Sequence, residues 1–206
     1  SLEISSLDIT GTAQLSHTAT TGSRALVINA LSNITAIDAL NSSGDISITA
    51  MTQSALTTYS GSTGNDVVSL DSSAGTVSLD TRNGDDDVTL TGASATSVTV
   101  TLGAGADSFV YTGTGAAALN VSGDEGDDTI TISASVNAAT AATYAGGAGA
   151  DTIELNSEAT MVDTIVLEDV TSNHVDVTSS NNLAFNEDHD TVTSFDQGTD
   201  KISLSD

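Results

Sequence analysis

The sequence predicts an all-β fold, a right-handed parallel β-roll (a β-solenoid) with coils of about 21 residues. A glycine-turn-aspartate cassette recurs five times, as GSTGNDVVS, TRNGDDDVT, LGAGADSFV, GDEGDDTIT and GGAGADTIE. The sixth residues, Asp66, Asp86, Asp107, Asp128 and Asp151, follow one another at spacings of 20, 21, 21 and 23. Between cassettes, Val, Ile, Leu or Ala alternates with Ser, Thr or Asp, the period of a half-buried strand. Self-similarity at such a period marks a solenoid, in which each repeat buries its apolar face only against its neighbours.

In chain order, alternating segments predict strands at 2–9, 25–30, 34–40, 46–50, 67–70, 76–79, 88–91, 97–102, 109–112, 118–122, 129–133, 143–145 and 152–155. Two strands and two turns fit between Asp66 and Asp86. One turn is the cassette; the other is short and built of small residues (SSAG, GASAT, GTGAA). Each coil is therefore two strands and two corners, with the cassettes aligned along one edge and few carboxylates on the other. The interior is expected to be narrow, filled by aliphatics with only three Phe and three Tyr. Each buried aliphatic contributes roughly 1.5–3 kcal/mol against about 1–2 kcal/mol per residue of backbone entropy, so the core alone is marginal.

Composition points to a stabilising cation. There are 28 Asp and Glu against three Lys and Arg, a formal net charge of -25 over 206 residues. A compact chain of that charge repels itself unless cations bind. Nucleic acid is excluded as a partner, because phosphates require the clustered basic residues missing here. Acidic, aromatic-poor chains are often disordered, but 38% hydrophobic content and clear alternation argue for a fold that depends on metal. Cysteine is absent, so an extracellular chain needs a staple other than disulfides. The opening SLEISSLDIT has neither the basic start nor the apolar core of a signal peptide, and it reads as a strand within a longer protein. No apolar run approaches the ~18 residues of a membrane span.

The cassette suits a hard cation. Small residues at the first and fourth positions let the backbone turn carbonyls inward, and the sixth-position aspartate supplies a carboxylate. Calcium takes six or more such oxygens at about 2.3–2.6 Å. One turn offers half a shell and the next turn the remainder, so binding and stacking are one event. Calcium sites are thus expected along one edge. The candidate ligands are Gly61, Thr63, Gly64 and Asp66; Thr81, Asn83, Gly84 and Asp86; Leu102, Ala104, Gly105 and Asp107; Gly123, Glu125, Gly126 and Asp128; and Gly146, Ala148, Gly149 and Asp151. On this reading, residues 1–60 form metal-poor coils, 61–155 the calcium coils and 156–206 the closing strands.

These cassettes resemble the GGxGxDxUx nonapeptide of the RTX proteins, which are secreted by Gram-negative bacteria and folded as calcium-bound parallel β-rolls. Residues 146–154 match in full, and the other copies each lack one or both of the paired glycines. The segment 189–205 looks like the stretch that closes RTX rolls. Ordinary RTX rolls repeat every nine residues and bind metal on both edges. A metal-free corner here replaces every second copy. With the abundance of Thr, Ser and Ala, this looks more like RTX-bearing bacterial surface-layer (S-layer) proteins. The resemblance implies a structural role, with calcium rigidifying and bridging subunits.

Phase extends beyond the five copies. Asp45 precedes Asp66 by the same interval that separates Asp86 from Asp107, in a turn one residue short, and is read as a degenerate coil with a weak or absent site. Arg24, one more such interval back, is a candidate to replace metal at the N-terminal end. Asp190, 39 residues after Asp151, falls two coils on in a worn cassette and joins the candidate ligands. The fifth-position Asp85 and Asp127 are expected to face solvent. Asp124 and Glu125 are read the same way. Asn186, Asp188 and Asp190 match an EF-hand opening poorly, since Thr191 and Gln197 stand where Gly and Glu are required. Asp196 and Asp200 offer a place for a second, unpatterned calcium.

No enzyme is expected. HExxH, GxSxG and GxxxxGK[ST] are absent, and His17, His174 and His189 are scattered. Tyr59, Tyr111 and Tyr144 form no legible sugar platform. Three functions remain: an S-layer module that assembles outside the cell on calcium, the calcium roll of a type I-secreted protease or lipase, and a calcium-stiffened adhesin segment. The expected partners are calcium, further copies of the chain in a surface lattice, and cell-surface polysaccharide.

Overall fold

The computed structural model describes residues 2–4, 7–16, 26–28, 31–53, 56–72, 75–91, 95–113, 118–133, 142–155, 162–167, 175–179, 182–185, 190–196 and 199–204. Its strands are β1 (Leu2–Ile4), β2 (Leu7–Ser16), β3 (Leu26–Ile28), β4 (Leu31–Asp38), β5 (Ile46–Gln53), β6 (Thr58–Ser60) and β7 (Val67–Ser72). There follow β8 (Thr76–Asp80), β9 (Asp87–Thr91), β10 (Ser97–Ala104), β11 (Ser108–Tyr111), β12 (Ala118–Glu125), β13 (Thr129–Ile132) and β14 (Thr143–Ala148). The chain ends with β15 (Thr152–Glu154), β16 (Thr164–Leu167), β17 (Val175–Ser179), β18 (Asn182–Phe185), β19 (Thr191–Thr193) and β20 (Lys201–Leu204).

Strands alternate between two sheets, ordered β1-β3-β5-β7-β9-β11-β13-β15-β19-β18-β17 and β2-β4-β6-β8-β10-β12-β14-β16-β20. This is the predicted right-handed parallel solenoid with coils of about 21 residues. Among the described strands, pairing is parallel except at β17-β18-β19, which is antiparallel. Register stacks like on like: Leu79, Val100, Val121, Tyr144 and Ile165 form one column, and Val88, Phe109, Ile130, Ile153 and Val192 another. Every member of both columns is buried. Tyr59, Tyr111, Tyr144 and Phe109 are among the largest fully buried side chains, so the few aromatics fill the interior.

The structure corrects four details of the strand and coil reading. Residues 2–9 belong to two strands in different sheets, β1 and β2. The short β6 carries too few alternating residues to stand out. Asp45 is not in step with Asp66: Ser47 pairs with Val67, which sets Asp45 beside Asn65 and leaves Ile46 opposite Asp66. The turn that is one residue short causes this slip. Finally, β15 pairs directly with β19 and β16 with β20. The 39 residues from Asp151 to Asp190 are therefore one coil with an inserted β17-β18 hairpin, not two coils. Leu183 and Ala184 pair antiparallel with Val192 and Thr191, so the insertion extends the sheet rather than the roll.

Arg24, Asn186, Asp188 and the three histidines lie outside the described residues.

Candidate metal centre

Each cassette forms the corner that leads from one sheet to the other, and its aspartate sits at the foot of the next strand. Asp66, Asp86, Asp107, Asp128 and Asp151 are each at most 2% exposed. They stack into a ladder. The Asp66 N–H donates to Oδ1 of Asp86 at 2.6 Å, Asp86 to Asp107 at 2.7 Å, Asp107 to Asp128 at 2.9 Å and Asp128 to Asp151 at 2.9 Å. Asp151 donates in turn to Oδ1 of Asp190 at 3.0 Å, which places Asp190 in the same column.

The second carboxylate oxygen is where the cassettes differ. Oδ2 of Asp86, Asp107, Asp128 and Asp151 is buried with no hydrogen-bond partner. The Thr81 hydroxyl lies beside Asp86, but it donates to the Leu102 carbonyl at 2.7 Å. At Asp66, by contrast, Oδ2 accepts from the Tyr59 hydroxyl and the Ser62 N–H, both at 2.9 Å. Its Oδ1 accepts from the Ser62 hydroxyl at 2.7 Å and the Ile46 N–H at 2.8 Å. Protein donors saturate that carboxylate.

Backbone conformation separates the same two groups. Gly84, Gly105, Gly126 and Gly149, at the fourth position, have φ between 121° and 145°. A Cβ on Gly126 would stand 1.7 Å from the Gly105 carbonyl oxygen, so only glycine allows the coils to close up. The second position also takes positive φ, at Arg82 (81°), Gly103 (112°), Asp124 (77°) and Gly147 (108°). Neither Ser62 nor Gly64 in the first cassette does so. First-position glycines serve space instead: a Cβ on Gly123 or Gly146 would stand 2.2 Å from Oδ2 of Asp128 or Asp151.

Third-position side chains point outward, with Thr63, Asn83, Glu125 and Ala148 exposed and Ala104 half-buried. The carbonyls of Ala104, Glu125 and Ala148 accept the N–H of Gly84, Gly105 and Gly126 from the preceding coil at 2.8, 2.9 and 2.7 Å. Leu102 is buried in the core, and its carbonyl faces Thr81. Thus the first, third, fourth and sixth positions do converge on one edge, but most third-position carbonyls already bind the neighbouring coil. A second ladder runs outside the first. Oδ1 of Asp45, Asn65, Asp85 and Asp127 accepts the N–H of Asn65, Asp85, Ala106 and Ala150 at 2.9–3.1 Å. Asp85 and Asp127 are exposed, as expected, and they also clip coil to coil.

Burial raises the carboxyl pKa along the column, to about 7 at Asp86 and Asp128 and about 6 at Asp151, with Asp66 and Asp107 raised also. Desolvation is the largest cause in each, ahead of neighbouring aspartates. A charged oxygen buried without a partner costs more than the roughly 1–3 kcal/mol of an unsatisfied neutral group. Four such oxygens in a row call for a cation or a proton. Among the described residues no three Asp, Glu, His or Cys side chains converge. A cation on this column would draw its remaining ligands from backbone carbonyls, which fits calcium. Sequence reasoning did not find the roles of Tyr59 and Ser62; serine at a position where Gly103 and Gly147 stand elsewhere was the available signal.

Comparison with family models, curated protein sequences and solved structures finds no match, so fold and site geometry alone place the chain among parallel β-solenoids with a buried aspartate edge.

Proposed function

We propose that the chain is a non-catalytic, calcium-dependent structural module of a secreted bacterial cell-surface protein of the RTX-bearing S-layer kind. The observation that carries this reading is the column of unpartnered, buried Oδ2 atoms on Asp86, Asp107, Asp128 and Asp151. The carboxylates of these four residues would hold the ions, together with carbonyls of their cassettes and with Asp190 ending the column. Bound calcium supplies positive charge to oxygens that the protein leaves uncompensated. Asp66 is the weakest of the five candidates, because Tyr59 and Ser62 already satisfy it.

Folding then follows the compartment. Calcium is scarce in the cytosol and roughly millimolar outside, near the affinities of about 10⁻⁴–10⁻³ M usual for extracellular modules. A net charge of -25 opposes compaction before export. Each independent site at ten times Kd contributes about 1.4 kcal/mol, so four or five sites add about 6–7 kcal/mol. A rigid roll of repeating edges suits self-association into a lattice on a polysaccharide-coated surface.

The test is far-UV circular dichroism during calcium titration from micromolar to ten millimolar, with magnesium as control. A calcium-specific rise in strand signal supports the reading. Full strand content in chelator, unchanged by calcium, sinks it.

A further inference from the structure

We propose that Asp163 and Asp200 hold one divalent cation of the calcium type at the edge opposite the cassettes, separate from the cassette column. Asp163 stands just before β16, and Asp200 just before β20, so both lie at the corner where the chain enters the nine-stranded sheet. Backbone pairing stacks them in register above Ala142: Thr164 N–H donates to the Ala142 carbonyl at 2.9 Å and Lys201 N–H to the Asp163 carbonyl at 2.8 Å.

The local geometry repeats that of the cassette column. Asp163 N–H donates to Oδ1 of Asp200 at 3.2 Å, as each cassette aspartate does to the next. Oδ2 of Asp200 accepts the Asp196 N–H at 2.8 Å. The Asp196 carbonyl accepts the N–H groups of Thr199 and Asp200 at 3.0 and 2.8 Å, which ties Asp200 to Asp196. Asp163 is only 6% exposed, and its Oδ1 has no partner. The Thr199 hydroxyl, one residue before Asp200, is likewise buried without a partner. A carboxylate oxygen and a hydroxyl are thus both buried and left open at one corner.

Charge completes the argument. Burial first, and the nearby Asp200 carboxylate second, push the Asp163 carboxyl up to about 6. Burial first, and then the Asp163 carboxylate, raise the neighbouring Tyr144 hydroxyl, with Asp200 contributing less. Two carboxylates meet at one corner beside a buried hydroxyl, an all-oxygen set that suits a hard cation. Among the described coils only this one carries the pair: Ala142 occupies the corresponding place one coil earlier, so the site is single, not periodic.

Native mass spectrometry of the full chain, titrated with calcium chloride alone, counts the ions. Asp163→Asn and Asp200→Asn should each bind one ion fewer than the unsubstituted chain, while Asp128→Asn loses ions from the column and keeps this one. Thr199→Val leaves both carboxylates intact and is expected to weaken a single site several-fold. Equal ion counts in Asp163→Asn, Asp200→Asn and the unsubstituted chain overturn the proposal. A chain that binds one ion, lost in Asp163→Asn, upholds this site and removes the cassette reading. A chain that binds none removes both.

Discussion

Asp107 reaches Asp86 through its side chain and Asp128 through its backbone: its Oδ1 accepts the Asp86 N–H at 2.7 Å, while its own N–H donates to Oδ1 of Asp128 at 2.9 Å. Each internal aspartate from Asp86 to Asp151 is thus a rung shared by three coils, and its remaining oxygen is buried and unpartnered. Substitution at such a rung acts on both sides at once.

Asp107→Ala is expected to strand the buried Asp86 N–H, at a cost of roughly 1–3 kcal/mol, and to disturb two adjacent ion sites. Asp190→Ala, at the end of the column, should disturb fewer. Calcium titration midpoints followed by circular dichroism compare the two. Equal shifts would contradict a column of shared sites.

The first cassette should behave differently. Asp66→Asn is expected to change calcium stoichiometry little, because Tyr59 and Ser62 already satisfy its carboxylate. Tyr59→Phe should cost about 1 kcal/mol in stability with the ion count unchanged. Isothermal titration calorimetry with thermal melts reads both. Loss of an ion in Asp66→Asn would restore this cassette to the column.

Acid should substitute for calcium. The carboxyls of Asp86 and Asp128 stand at about 7 and that of Asp151 at about 6 in the folded chain, against about 4 when unfolded. Between these values the native state binds more protons than the unfolded state, so stability falls as pH rises. Their contribution is fully present below about pH 4 and lost as pH passes through 6 to 7. In chelator, the chain should therefore melt higher at pH 5 than at pH 8. With calcium, which requires the carboxylates ionised, the gap should narrow or invert. A higher melting temperature at pH 8 in chelator would refute this.

Backbone strain at the second position gives a stabilising change. Asp124 holds φ of 77° where Gly103 and Gly147 stand in neighbouring coils. Asp124→Gly should raise stability by about 1 kcal/mol, provided the loss of its hydrogen bond from the Ser122 hydroxyl at the surface is minor. Gly126→Ala, which would drive a Cβ into the Gly105 carbonyl, should lower it by several-fold more. Denaturant melts of the two variants should move in opposite directions.

The solenoid and its aspartate edge were legible because period-two alternation and a turn repeating about every 21 residues leave few other folds. Register inside a turn was not. Asp45 keeps the regular spacing yet pairs with Asn65, since a missing turn residue shifts the ladder by one place. Arithmetic also made two coils of the interval ending at Asp190, where a hairpin insertion makes one. Closure of Asp66 by Tyr59 depends on a side chain reaching across its own cassette turn, and the orphan on Asp163 depends on stacking against Asp200 in the next coil. Neither contact is recorded by the repeat pattern.

The sheets' hydrogen bonds run coil to coil, along the solenoid axis, while the covalent chain winds around it. Tension along that axis therefore pulls neighbouring coils apart directly, and each coil that peels away frees about 21 residues, or about 70 Å of extended chain. The inner ladder lies across every parting plane between the cassette coils, its side chains drawn from the following coil, and the outer ladder, with side chains from the preceding coil, crosses all of these planes but the one after Ala106. Such a rod is a stack of length reserves, released one at a time under load and latched at the aspartate edge.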